Sequence, residues 1–271
     1  MSNSPAGAAE GGPLLITDRG AVRTLTLNRP AAYNAFDLAL KGELLTALDV
    51  AGRDRSVRAL VITGSGRAFS AGQDLKEHLA LVATRDERVA RTVGEFYNPL
   101  VRALLGLRKP VIAAVNGPAA GAGAGLALAC DLRVAAASAT FTMAFAGVAL
   151  SADTGASYLL PRYVGYGRAS AMMLLGEKVD AAEALRIGLA DRVVDDADLA
   201  GAVEALADRL AAGPTRAYGW IKASLQHAVA ADLESSLDFE DRAQTDCFGS
   251  ADHHEAVAAF VAKRRPRFTG G

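Results

Sequence analysis

Histidine and cysteine are scarce in this chain, and each scarcity removes a class of chemistry. Its 271 residues include 2 cysteines, 4 histidines and 1 tryptophan. Cys130 and Cys247 lie far apart, form no C-x-x-C and have no histidine at ligand spacing. Neither a disulfide framework nor a zinc site is expected, and a reducing cytoplasm fits best. His78, His227, His253 and His254 form no evident site, and the adjacent pair reads as two solvated side chains pointing in different directions. No serine stands in G-x-S-x-G and no S-x-x-K occurs, so nucleophilic hydrolysis lacks its signature. Metal-assisted hydrolysis lacks its ligands for the same reason, and no metal is expected.

Charge of one sign is also missing. The formal net charge is −1, and apart from Lys263–Arg265 there is no basic run, so nucleic acid and anionic membranes are not expected partners. The first 13 residues have neither a charged n-region nor an apolar h-region, and they read as a disordered tail rather than a signal peptide. With 51% hydrophobic and 22% charged residues, the composition is that of a soluble globular protein with room for a sizeable core.

What is present is glycine at particular places. The stretch Lys109–Asp131, KPVIAAVNGPAAGAGAGLALACD, opens with the apolar run Val111–Val115, which reads as a strand buried on both faces. Asn116, Gly117 and Pro118 break it, glycines follow at 121, 123 and 125, and Leu126–Cys130 reads as helix. Such a unit points free backbone N–H groups and the positive end of a helix dipole at one spot. A phosphate could sit there, or the oxygen of a developing enolate. G-x-G-x-x-G does not fit the glycine spacing, and no G-K-[ST] ending marks a P-loop. Pro110–Cys130 carries no charge over 21 residues and Gly121/Gly125 form a G-x-x-x-G, but Asn116 and Pro118 would interrupt a membrane-spanning helix.

Along the chain, Leu14–Thr17 and Val22–Leu27 flank Asp18-Arg19-Gly20 and predict a hairpin. Asp37 is placed to cap a helix running to about Asp54, with Leu38, Leu44, Leu45 and Leu48 on one side. Ala59–Thr63 predicts a strand, followed by a second glycine loop, Gly64 to Asp74. A long helix is expected over Asp86–Leu107, strands over Leu132–Ala135 and Ala139–Met143, and a helix from Asp153 to about Tyr163. Gly165–Gly176 predicts a small helix burying Met172, Met173, Leu174 and Leu175, and Val193-Val194 a last strand. From Ala197 onward only helical patterns follow, started at Pro214, Asp232 and Asp252, the last with Val257, Phe260 and Val261 on one face. The expected organisation is a tail over residues 1–13, an α/β core over 14–196 and a helical portion over 197–271.

Two strand-to-glycine-loop elements, around Gly72-Gln73-Asp74 and Gly121-Ala122-Gly123, could each give one backbone N–H to a single carbonyl oxygen. Taken alone, either loop also reads as a glycine needed for a turn.

These residues resemble the crotonase superfamily, the enoyl-CoA hydratases and isomerases. The matching blocks are Asn28-Arg29-Pro30 with Asn34-Ala35, Gly64 through Phe69-Ser-Ala-Gly-Gln-Asp-Leu75, Lys109 through Gly117, Gly121 through Leu126, and Cys130-Asp131. Together they span the chain from about residue 14 to Lys263.

The resemblance implies a spiral of ββα turns, a helical C-terminal trimerisation portion, a homotrimer or hexamer, and a substrate carried as a coenzyme A thioester, with no separate cofactor. It places the oxyanion hole at the backbone N–H groups of Gln73 and Ala122. Arg29, Ala71, Asp74, Leu75 and Lys76 fall where the family cradles CoA, and Phe260 and Lys263 where its last helix reaches the nucleotide end. Lys76 also reads simply as a solvated lysine.

The sequence departs from the hydratase pattern at the positions of the two glutamates that add water, which here are Gly125 and Phe145. A lone carboxylate, Asp153, appears instead in Leu150-Ser-Ala-Asp-Thr-Gly-Ala-Ser157. Position alone leaves it a helix cap; the loss of both glutamates favours a single acid/base that moves a proton between carbons. An apolar wall of Phe145 and Val148 would raise its pKa. The Phe69–Leu75 block, Phe96-Tyr-Asn-Pro-Leu100 and the Asp153 block with Leu159-Leu-Pro-Arg162 most resemble the family's phenylacetate-degrading branch, in which a ring epoxide of phenylacetyl-CoA becomes an oxepin. The expected activity is acyl-CoA isomerisation, by moving a double bond or opening a ring epoxide. A hydratase acting on a short or aromatic enoyl-CoA and a non-catalytic acyl-CoA-binding subunit are the alternatives.

Overall fold

The computed structural model describes residues 11–271, so ten of the thirteen tail positions lie outside the described residues. Strand β1 (Leu14–Arg19) pairs antiparallel with β2 (Val22–Leu27) around Gly20-Ala21, as the hairpin pattern predicts. Asp37 caps α1 (Leu38–Arg53), its carboxylate accepting from the Leu40 amide at 2.8 Å. Leu44 and Leu48 are buried, while Leu38 and Leu45 are half-buried.

Strand β3 (Ala59–Gly64) then runs parallel to β2 and leads into the first glycine loop. That loop ends in a helix the sequence reading did not single out, α2 (Leu75–Ala83), capped by Asp74. The long helix expected over Asp86–Leu107 is divided into α3 (Arg88–Thr92), a π-turn over Val93–Tyr97 and α4 (Asn98–Gly106). Pro99 has no N–H to continue an α ladder, and the wider turn, in which the Asn98 amide donates to the Val93 carbonyl, absorbs the break.

Strand β4 (Val111–Val115) is buried at all five residues, and the short strand β5 (Ala119–Ala120) follows. Helix α5 (Ala122–Ala129) begins four residues earlier than expected and takes Gly123 and Gly125 into its body. Strands β6 (Leu132–Ala136) and β7 (Thr140–Thr142), helices α6 (Ala156–Val164) and α7 (Tyr166–Leu175), strand β8 (Lys178–Asp180), helix α8 (Ala181–Arg186) and strand β9 (Arg192–Val194) complete the core. On α7 Met172 is buried and Met173 half-buried, but Leu174 and Leu175 are 76% and 66% exposed, against expectation. Four apolar residues in a row cannot share one face of a helix.

The large sheet has the order β1-β2-β3-β4-β6-β9, parallel except for the β1 hairpin, and β5, β7 and β8 form a second sheet. Isolated bridges Phe36↔Gln73 and Ser70↔Ala119 extend the second layer towards the first turns of the chain. Each turn of the spiral therefore consists of a strand in the main sheet, a short extended piece in the second layer, and a helix. Both glycine loops leave the carboxyl ends of parallel strands, where open α/β sheets place their ligands.

Helix α9 (Leu199–Ala211) covers β3, β4 and β6. Helix α10 (Thr215–Ala228) packs on α4 and α11 (Leu233–Phe248), and α12 (Ala251–Val261) packs on α11. The cap of α12 is Ser250 rather than Asp252, whose carboxylate instead receives the Thr269 and Gly270 amides at 2.6 and 2.8 Å. Among the described residues no helix is long and apolar enough to cross a membrane, and the uncharged stretch from Pro110 is divided among β4, β5 and α5.

Candidate active site

The two glycine loops meet. A Cβ built on Gly72, which has φ +83°, would fall 2.7 Å from the Ala120 carbonyl oxygen and 3.1 Å from the Ala122 nitrogen. One on Gly123 would fall 2.4 Å from the Ser70 oxygen, so glycine is what lets the start of α5 lie against the first loop.

Asparagines hold this approach in place. Fully buried Asn34 donates to the Ser65 and Ala68 carbonyls at 2.9 and 2.8 Å and accepts from the Arg29 amide at 2.9 Å. Asn116 accepts from the Gly64 amide at 3.1 Å and donates to Gly66 at 3.0 Å.

Within the first loop the Asp74 amide donates to Phe36 and the Phe36 amide to Gly72. Backbone amides alternate sides in extended chain, so the Gln73 N–H faces away from Phe36. Neither the Gln73 amide nor that of Ala122, the first residue of α5, has an acceptor among the described residues. Two unpaired donors from adjoining loops, one at a helix N-terminus, make a place for a negative oxygen.

Asp153 stands over the same helix turn, because Thr154 packs on Gly125, where an added Cβ would lie 2.8 Å from the Thr154 Cβ. The helix-cap alternative for its side chain does not hold. The N-cap of α6 is Gly155, and Asp153 supplies only its main-chain carbonyl, to the Ala156 amide. Its carboxylate accepts the Thr154 hydroxyl at 2.7 Å. Thr154 itself is buried at φ +49°, a conformation that a β-branched residue adopts only when its surroundings enforce it. Burial pushes the Asp153 pKa above the ordinary carboxylate value, while the Thr154 hydroxyl and the Lys41 ammonium pull it back. Of the expected wall, Phe145 is buried and Val148 stays 46% exposed.

Sequence reasoning missed the layer beneath. Lys41 is fully buried on α1 and donates to the Gln73 side-chain carbonyl at 3.3 Å, which the Tyr97 hydroxyl also reaches. Burial lowers the Lys41 pKa, against the carboxylates of Glu77, Asp37, Asp153 and Asp74. It raises that of Tyr97, helped by the negative charges of Asp153 and Glu77. Among the described residues Glu77 Oε2 is buried without a hydrogen-bond partner, while its Oε1 accepts from the Leu38 amide. A signal for Lys41 was present, since it shares the stripe of Leu44 and Leu48 at helical spacing.

The expected CoA contacts divide into three groups. Ala71, Leu75 and Lys76 are exposed at the mouth of the first loop. Arg29 and Asp74 are committed to the fold: Arg29 bonds Asp37 at 3.0 Å and Asp74 at 2.8 Å, and Asp74 also accepts the Lys76 and Glu77 amides. Burial would raise the Asp74 pKa, but Arg29 and those amides outweigh it and hold the pKa below the usual value. Phe260, 85% exposed, and Lys263 lie at the far end of α12, and among the described residues no hydrogen bond or ion pair joins them to the loops. Cys130, buried, has its thiol pushed up to about 12 by desolvation, which disfavours the thiolate.

The chain belongs to the enoyl-CoA hydratase/isomerase family, whose model matches residues 17–271. It is 45% identical to a 1,2-epoxyphenylacetyl-CoA isomerase of Escherichia coli, over 92% of this chain and 95% of that protein. It is 43% identical to a probable enoyl-CoA hydratase of Rhodobacter capsulatus, over 91% and 93%. The crystal structure of a putative enoyl-CoA hydratase/isomerase from Mycobacterium abscessus superposes with a TM-score of 0.91 at 42% identity, covering 95% of this chain and all of that one.

Proposed function

We propose that the protein is an acyl-CoA isomerase with Asp153 as its single acid/base. The thioester carbonyl sits between the Gln73 and Ala122 amides. The Asp153 carboxylate takes a proton from the α carbon of a 3-enoyl thioester, and the C–H electron pair moves into the carbonyl, leaving an enolate oxygen held by the two amides. Asp153 then returns the proton at the γ carbon and becomes a carboxylate again, and the double bond now lies between the α and β carbons. The epoxide-isomerising relative supports a ring-epoxide thioester as the other form of substrate. Coenzyme A enters with the substrate, against Ala71, Leu75 and Lys76. Three copies assemble through the exposed apolar helix faces, bringing Phe260 and Lys263 of one copy to the nucleotide end of another's substrate.

The observation that carries this reading is Asp153 itself, a half-buried carboxylate released from helix capping beside two unpaired amides. Assay with a 3-enoyl-CoA and with crotonyl-CoA tests it. Isomerisation of the first without rapid hydration of the second is expected, and rapid hydration of crotonyl-CoA would overturn it. The hydratase alternative has one observation in its favour, the unpartnered Glu77 Oε2, a second carboxylate beneath the same site. A non-catalytic binding subunit would take up the thioester but exchange no proton.

A further inference from the structure

Among the described residues Lys41 is the buried cation that reaches the site; Arg23, Lys109 and Arg133, also buried, bond carboxylates or main-chain carbonyls elsewhere. Lys41 lies on the apolar stripe of α1, where an ammonium group is costly to desolvate. A lysine needed only for packing could be methionine or leucine. The groups facing it come from several elements: Asp37 before its own helix, Asp74 and Glu77 from the start of α2, Tyr97 from the π-turn, and Asp153 ahead of α6. Its nitrogen is 5.2 and 5.5 Å from the ring centroids of Phe96 and Tyr97, so an aromatic wall closes two sides. Its one hydrogen bond among the described residues goes to Gln73, whose backbone amide is half of the oxyanion hole.

We propose that Lys41 is a positioning residue for the acid/base step, tying the Gln73 side chain in place from below while its charge faces Asp153 across the site. This inference rests on the isomerase reading for its catalytic meaning but not for its electrostatics. A base walled by apolar groups gives up its charge too readily. Lys41 offsets that tendency without touching the carboxylate, leaving it free to move between proton-bearing and proton-free forms. Tyr97, donating to the same Gln73 oxygen, keeps that side chain from turning toward the lysine alone.

The test compares Lys41→Met with Lys41→Arg. In protein labelled with carboxyl-13C aspartate, the Asp153 signal is identified by its loss in Asp153→Asn. In Lys41→Met the signal titrates about one pH unit higher than in the parent protein, and in Lys41→Arg close to the parent. The acidic limb of kcat/KM for a 3-enoyl-CoA moves by the same amount in Lys41→Met, with activity largely recovered at higher pH and KM little changed. An unmoved Asp153 titration in folded Lys41→Met overturns the inference, as does equal loss of kcat at every pH, which would mean that Lys41 only supports Gln73. Should Lys41→Met not fold, Lys41→Gln gives the same comparison. If Asp153→Asn still isomerises, the isomerase reading fails, whereas the NMR titration reports on Lys41 regardless.

Discussion

Burial disfavours a charge on Asp153, and its neighbours Thr154 and Lys41 both favour one. Its folded pKa is raised, chiefly by desolvation. The stability contributed by the protonated acid is fully present below the unfolded pKa, about 3.9, and is lost as pH rises through the folded value. Ionisation of this carboxyl group therefore weakens the fold. Asp153→Asn is expected to raise Tm at pH 7, with the gain shrinking in acid, while lowering kcat by about 100-fold or more. Calorimetry at two pH values alongside turnover checks both signs; a lower Tm at pH 7 would count against the electrostatic account.

At the same scale, Gly125, which the family resemblance sets opposite a hydratase glutamate, has no room for a side chain. A Cβ there would lie 2.8 Å from the Thr154 Cβ and 2.9 Å from its carbonyl oxygen. Gly125→Ala should displace the Asp153 loop and cost about tenfold or more in kcat although every reacting group is retained. Gly125→Glu should not create a hydratase, which hydration of crotonyl-CoA measures directly.

At the level of elements, α2 and the first glycine loop depend on Asp74. Its carboxylate caps α2 and pairs with Arg29, which also holds Asp37 at the start of α1. Asp74→Ala removes the cap and leaves part of a guanidinium unpaired, a loss of about 2 kcal/mol or more and roughly 4–8 °C in Tm. Because the Asp74 pKa is depressed, the stability it contributes is present above the unfolded pKa and is lost as pH falls through the folded value. The gap between variant and parent should therefore narrow in acid. This residue was read from sequence as a CoA contact, and its structural role was hidden because its partner Arg29 lies 45 positions away in the chain.

Elements with a strong period or an uncharged run were legible: β4, the β1–β2 hairpin and α1 all stand where the pattern puts them. Those set by tertiary contact were not. The glycines at 123 and 125 read as loop because isolated glycine disfavours helix, yet packing against Ser70 and Thr154 makes helix the conformation that fits. Strand β8 and helices α2 and α8 are short and depend on partners that sequence spacing does not reveal.

Across the whole molecule, the loops at the carboxyl ends of β3 and β4 and the turn before α6 bring Gln73, Ala122 and Asp153 to one region from positions 80 residues apart. Pattern in one segment does not show that meeting; resemblance across several blocks does. The buried layer of Lys41, Tyr97 and Glu77 escaped both: Tyr97 was read only within a branch-marking block, and Lys41 and Glu77 were not singled out. The helical end leaves Phe260 85%, Val261 76% and Leu225 68% exposed, more apolar surface than a solitary chain usually presents. Light scattering should give three chains of 28.0 kDa, about 84 kDa, or twice that for a hexamer. Phe260→Asp should lower the mass towards the monomer and weaken CoA-ester binding together.

In the proposed reaction one carboxylate moves hydrogen on a carbon whose neighbouring carbonyl is held by two backbone amides. Mass spectrometry of a 3-enoyl-CoA incubated with the enzyme in deuterium oxide tests it most directly, because exchange is seen whether or not net conversion occurs. The parent protein is expected to place deuterium at the α and γ carbons, and Asp153→Asn, still binding the thioester, to place none. Exchange at the parent rate in Asp153→Asn, or no exchange in the parent while the thioester is bound, would contradict it.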